Sequence, residues 1–185
     1  MRRLEIDFEE IAMALESSRE LSDYYLDVET GELVVIPAEL LALDFDEEDL
    51  SSLPDWEQEL IPLVREIQGG SERYEPVPQI PSYEIYNLML EFVETVTDQR
   101  LYQLLSVALD GKGAFGRFKR VLAEYPAERQ RWYQMKQAAM TGWIKEWLNE
   151  LGIEPMKKAI TAHPRWKISS GSFSRGIPAS RMGAS

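Results

Sequence analysis

Three observations on the sequence predict a mostly helical α+β fold, with about six helices packed on one small antiparallel β-hairpin. Residues 82–152 repeat apolar side chains at helical spacing with few interruptions. Residues 24–37, YYLDVETGELVVIP, hold two β-favouring runs around a glycine. No other strand is clearly signalled. With 185 residues, 44% of them hydrophobic, the chain is long enough to bury a sizeable core.

The elements follow in order. Asp7 and Glu10 form a capping box, and Ile6 with Ile11 a hydrophobic staple. Phe8, Ile11, Ala12 and Leu15 share one helical face, which stops at Ser17 and Ser18. In the hairpin, Tyr24 to Val28 and Leu33 to Ile36 are the strands, and Gly31 takes the positive φ of the turn. Pro37 ends the second strand because it has no N–H to give the ladder. A lone hairpin is marginal in water, so helices must cover it.

Ser52 and Pro54 announce a helix whose stripe is Trp56, Leu60, Leu63, Val64 and Ile67, with Pro62 splitting or kinking it. Residues 71–81, with three prolines, read as an extended connector. Ser82 caps a helix carrying Ile85, Leu88, Met89, Phe92, Val93 and Val96. Asp98 opens another, with Leu101, Leu104, Leu105, Ala108 and Leu109 inward. Residues 114–123 form a short helix with Phe115, Phe118 and Leu122 inward. Pro126 starts the last helix at its first turn. Trp132, Met135, Ala139, Trp143, Ile144, Trp147 and Leu148 line that helix, and Gly152 closes it. Trp132 and Trp147 lie near four turns apart and are expected on one buried face.

Charge divides the chain. Residues 1–60 hold 19 acidic and 3 basic side chains, and residues 155–185 hold 6 basic and no acidic ones. The expected organisation is one α+β domain over 1–154, with an acidic N-terminal half and a helical C-terminal half, followed by a basic, Ser/Gly-rich flexible tail over 155–185. The tail is expected to lie outside the core. The net charge is −12, which argues against a general nucleic-acid coat. Cysteine is absent, so disulfides, thiolate catalysis and cysteine zinc sites are excluded. His163 is the single histidine. It lies in the expected tail, where nothing would hold a catalytic triad together. No signal or spanning segment is seen, so a cytoplasmic protein without membrane contact is expected.

Gly111, Gly113 and Gly116 spell GxGxxG. The dinucleotide fingerprint needs a strand before it, but here a helix precedes it, and the phosphate-binding GK[ST] pattern is missing. The glycines are read as a turn between helices. Lys112, Arg117, Lys119 and Arg120 beside that turn, with Arg129, Arg131 and Lys136 on the next helix among Trp132 and Tyr133, could serve an anion or single-stranded nucleic acid. The competing reading spends Arg129 and Arg131 on Glu124, Glu128 or the acidic half. Asp44, Asp46, Glu47, Glu48 and Asp49 form an acidic run. As a calcium loop starting at Asp44 it fails, with Asp49 at the sixth position and Asp55 at the twelfth, so it is read as a solvated or partner-docking strip.

The segments GKGAFGRFKRVLAEYPAERQRWY and IKEWLNELGI, with YYLDVETGELVVIP and ERYEPVP, resemble the bacterial uncharacterised protein family 0158. The resemblance spans roughly residues 4–153 and rests on Gly113, Ala114, Phe115, Phe118, Lys119, Tyr125, Pro126, Arg129, Trp132, Tyr133, Trp147, Leu148 and Gly152. Gly116 departs from the basic residue expected there. The resemblance implies an architecture and brings no activity, substrate or cofactor.

The residues favour a non-enzymatic interaction or regulatory protein that docks an unidentified protein partner on its acidic surface, Asp44 to Asp49 included. The alternative is a nucleic-acid- or phosphate-binding module built on Lys112, Arg117, Lys119, Arg120, Arg129 and Arg131. No catalytic residue, cofactor or metal ligand is assigned.

Overall fold

A computed structural model of the chain describes residues 1–43 and 53–157. In order, the elements are β1 (Arg2–Ile6), α1 (Phe8–Glu16), β2 (Ser22–Asp27), β3 (Leu33–Pro37), α2 (Ala38–Leu41), α3 (Asp55–Gln58), α4 (Ile61–Gln68) and β4 (Tyr74–Pro76). The chain continues through α5 (Ser82–Glu94), α6 (Gln99–Leu109), α7 (Ala114–Ala123), α8 (Pro126–Glu150) and β5 (Ile153–Lys157). The fold is mostly helical α+β, as the periodicity predicts.

The hairpin stands where its residues place it, with Tyr25 opposite Val34 and Leu26 opposite Leu33. It is joined by a third strand. β4 pairs antiparallel with β2, Leu26 opposite Glu75, giving the order β3-β2-β4. A second, parallel pair joins β1 to β5, from Arg2 opposite Ile153 to Ile6 opposite Lys157. The expectation of a single hairpin is therefore corrected: the described residues hold five strands. Of the three added ones, β4 is only three residues long and β5 carries Pro155, so neither stands out by local pattern. β5 also carries Pro155, Met156 and Lys157, placed by composition in the tail, onto the edge of β1. Residues 158–185, His163 among them, lie outside the described residues.

The three-stranded sheet is buried on both faces. Leu26, Tyr24, Val28 and Leu33 pack with Ile11 and Leu15 of α1 and with Met140, Ile144 and Leu148 of α8. Tyr25, Val34 and Ile36 pack on the other side with Leu40 of α2 and with Ile61 and Val64 of α4. Two covered faces explain why the strands read as nearly continuous apolar runs. A third cluster lies among the helices and contains Met89, Phe92, Leu101, Leu105, Phe118, Leu122 and Trp132. The rings of Phe92, Phe118 and Trp132 meet edge-on, with centroids 5.0 to 6.0 Å apart. α8, 25 residues and so about 37 Å long, joins the clusters: Trp132 serves the helical one, and Met140, Ile144 and Leu148 serve the sheet.

Local signals decide several ends. Asp7 Oδ1 accepts the Glu9 and Glu10 amides at 3.0 and 3.1 Å and starts α1. Asp98 accepts the Leu101 amide at 2.8 Å and starts α6. Pro62 divides the predicted helix into α3 and α4, in whose first turn it sits. Ser82 does not cap α5; it is the first helical residue, and Pro81 precedes it without a side-chain cap. Trp56, Leu104 and Phe115, expected inward, are exposed: Leu104 and Phe115 lie at the margins of their helices' apolar stripes, and Trp56 stands in a four-residue helix that buries no side chain. Trp147 is half-buried beside the sheet while Trp132 is buried among the helices, so the two do not share one core.

Candidate functional site

The basic group at α7 and the start of α8 is assembled by the turn 110–113. Gly113 sits at the N-terminus of α7 with φ 78°, a conformation that a Cβ disfavours. Phe118 and Leu122 then anchor α7 inward, which leaves Lys119 and Arg120 on its open side.

The six cations do not act alike. Arg117 turns back onto the preceding helix: its Nε donates to the Ala108 carbonyl at 3.1 Å and its guanidinium also donates to the Asp110 carbonyl. It satisfies carbonyls at the end of α6 that have no helical partner. Arg131 donates to Glu128 and to the Thr95 hydroxyl, and stacks over Phe92 at 5.1 Å. Lys136 pairs with Glu16 of α1. Lys112, Lys119, Arg120 and Arg129 remain exposed, and among the described residues none of their side chains makes a hydrogen bond or ion pair. Arg117 and Arg120 therefore do not project together, and four of the six candidate cations face solvent, with exposed Glu124 among them.

The candidate docking run Asp44, Asp46, Glu47, Glu48 and Asp49 lies outside the described residues. Around it the acidic half is described, and it is largely unneutralised. Glu5, Glu9, Glu20, Glu32 and Glu39 are exposed and meet no cation among the described residues. Among the described residues no group of three His, Asp or Glu side chains is placed to hold a metal ion, and no helix is long and apolar enough to cross a membrane.

One polar cluster escaped the sequence reading. Asp27, the buried acid at the end of β2, accepts the Glu29 and Thr30 amides at 2.9 and 3.3 Å. Arg73 grips the same carboxylate with Nε at 3.1 and 3.2 Å and a terminal nitrogen at 2.8 Å. Burial pushes the Asp27 carboxyl up, but the Arg73, Glu29 and Thr30 hydrogen bonds outweigh it and hold it below the ordinary aspartate range. The partners are 46 residues apart, so no local spacing announces them. The turn that Asp27 shapes presents Gly31, φ 81°, to β1. A Cβ there would stand 2.6 Å from the Glu5 carbonyl oxygen. Asp27 and Arg73 thus tie the hairpin turn to the start of β4, and we read them as structural.

The chain belongs to Uncharacterised protein family (UPF0158), whose family model matches residues 1–165. The UPF0158 protein of Chlamydia pneumoniae is 27% identical over 136 residues, which cover 73% of this chain and 37% of that protein. The UPF0158 protein of Chlamydia trachomatis serovar D matches with the same identity and coverage. The chain thus spans little more than a third of the length of these curated relatives. No solved structure matches. The family is uncharacterised, so no activity is carried to this chain by membership.

Proposed function

We propose that this chain is a non-enzymatic interaction protein whose acidic N-terminal half docks a basic polypeptide partner. The observation that carries the reading is the exposed, unneutralised set Glu5, Glu9, Glu20, Glu32 and Glu39, in a segment holding 19 acids against 3 bases over residues 1–60. Such a field speeds encounter with a positively charged partner and disfavours like-charged ones. Asp44, Asp46, Glu47, Glu48 and Asp49 are five of the 19 acids of that segment of the sequence. The rival reading, a phosphate or nucleic-acid site, is weakened because Arg117 and Arg131 already serve backbone, Glu128 and Thr95.

Affinity purification from the native host, with mass spectrometry of protein and nucleic acid, tests the choice. A basic protein should co-purify with the unmodified chain and be lost when Glu5, Glu9 and Glu20 are changed to Lys. Changing Lys119 and Arg120 to Glu should leave it bound. Retention of DNA or RNA at low salt, abolished by Lys119→Glu with Arg120→Glu, would overturn the proposal in favour of the basic patch.

A further inference from the structure

The three-stranded sheet has β2 in its middle and β3 and β4 at its two edges; β4 is three residues long and ends in Pro76, which has no N–H to offer, so β3, with five residues, is the longer edge. Its register says which backbone groups are left over. The Asp27 amide donates to the Glu32 carbonyl and the Ala38 amide to the Leu21 carbonyl, each at 3.0 Å. Antiparallel ladders alternate bonded and non-bonded pairs, so Tyr25 with Val34 and Asp23 with Ile36 are the bonded pairs between them. The N–H and C=O groups of Leu33 and Val35 therefore point away from β2. Among the described residues no backbone partner meets them. The side chains of this strand are already seated, Leu33 in one core and Val34 and Ile36 in the other. What β3 offers is its edge.

That edge carries its own chemistry. Leu33 to Ile36 are uncharged, exposed Glu32 and Glu39 bracket them, and Pro37 ends the row of donors. An open, apolar edge is a template for another strand. A second copy would bring two molecules of net charge −12 edge to edge. Charge complementarity instead selects a cationic strand.

We propose that the β3 edge takes up an extended basic segment of a partner polypeptide as a fourth strand, the Leu33 and Val35 backbone supplying hydrogen bonds and Glu32 and Glu39 pairing with its flanking cations. This rests on the acidic-docking reading and names its mode.

A fluorescent heptapeptide of alternating lysine and valine, titrated at low salt, tests it with two variants. Val35→Pro removes an outward N–H that β2 does not use; Glu32→Lys with Glu39→Lys reverses the bracket. Each should weaken binding at least tenfold, and the peptide should slow hydrogen exchange at the Leu33 and Val35 amides. If charge reversal weakens binding but Val35→Pro does not, acidic docking stands and strand addition is wrong. If the peptide does not bind the unmodified protein, both fail. Should Val35→Pro not fold, exchange in the unmodified protein decides, since binding without slowed Leu33 and Val35 amides overturns the proposal. So does protection of those amides without peptide. If that protection depends on concentration, a second copy covers the edge; if it does not, the chain covers its own edge.

Discussion

The two ends of α8 sit in different kinds of core. Around Trp132, the cluster is drawn from residues 88–132 and built by helices consecutive in the chain. Around Ile144 and Leu148, the cluster draws on Ile6, Ile11, Leu26, Val77 and Ile153, from nearly the whole described length. The first region forms from local periodicity and three mutually edge-on rings. The second exists only when distant strands find one another. The difference teaches where sensitivity lies: in volume at the helical end, in backbone fit and a buried carboxylate at the sheet end.

Trp132→Ala should be the largest single perturbation, costing about 3–5 kcal/mol in urea unfolding. Trp147, half-buried against the sheet, should cost no more than about half of that. Equal losses would erase the contrast and show one continuous core.

Two glycines sharpen the comparison further. Gly31 and Gly113 have nearly the same φ, 81° and 78°. Gly113 has open space where a Cβ would go, whereas Gly31 faces the Glu5 carbonyl and the Leu4 and Ile6 side chains. Gly31→Ala should cost more than about 2 kcal/mol, while Gly113→Ala should cost only the left-handed backbone strain of about 1–2 kcal/mol. Thermal melts of the pair check this, and equal shifts would show that the hairpin tip yields.

Asp27→Asn should cost about 1–3 kcal/mol, with a pH signature. Because the folded carboxyl lies below its ordinary 3.8, its contribution is complete above that range and is lost as pH falls through the folded value. Denaturant titrations should show the unmodified protein losing stability on that acid limb more steeply than Asp27→Asn. Parallel acid limbs would show that another carboxylate governs it.

Arg3 and Glu154 pair across β1 and β5 at 2.9 Å, both well exposed. A double-mutant cycle should give under about 1 kcal/mol. A larger coupling would mean that the parallel pair depends on charge rather than on Ile6 and Ile153.

What was legible follows the same division. Asp7, Asp98, Pro62 and Pro126 mark helix boundaries because capping and proline chemistry act over a few residues. The hairpin was legible because Gly31 and its flanking runs are contiguous. β4 was not, being three residues among prolines, and β5 carries Pro155, which an edge strand tolerates but a local reading discounts. β1 did carry a signal, the alternation of Leu4 and Ile6 between charged residues. Of the candidate site, the cations were visible, but the return of Arg117 to the α6 carbonyls and of Arg131 to Thr95 is set by how helices meet. The Asp27–Arg73 lock was invisible for the same reason.

The parallel register of β1 and β5 also has a mechanical meaning. Arg2 lies at one end of the paired strands and Lys157 at the other. Tension applied between these two points runs along the strand axis in opposite directions, so it loads the inter-strand hydrogen bonds side by side instead of peeling them one after another. The described part of the chain is therefore clasped in shear, and stretched from these positions it should give way in one abrupt event, with the hairpin behind the clasp released only afterwards.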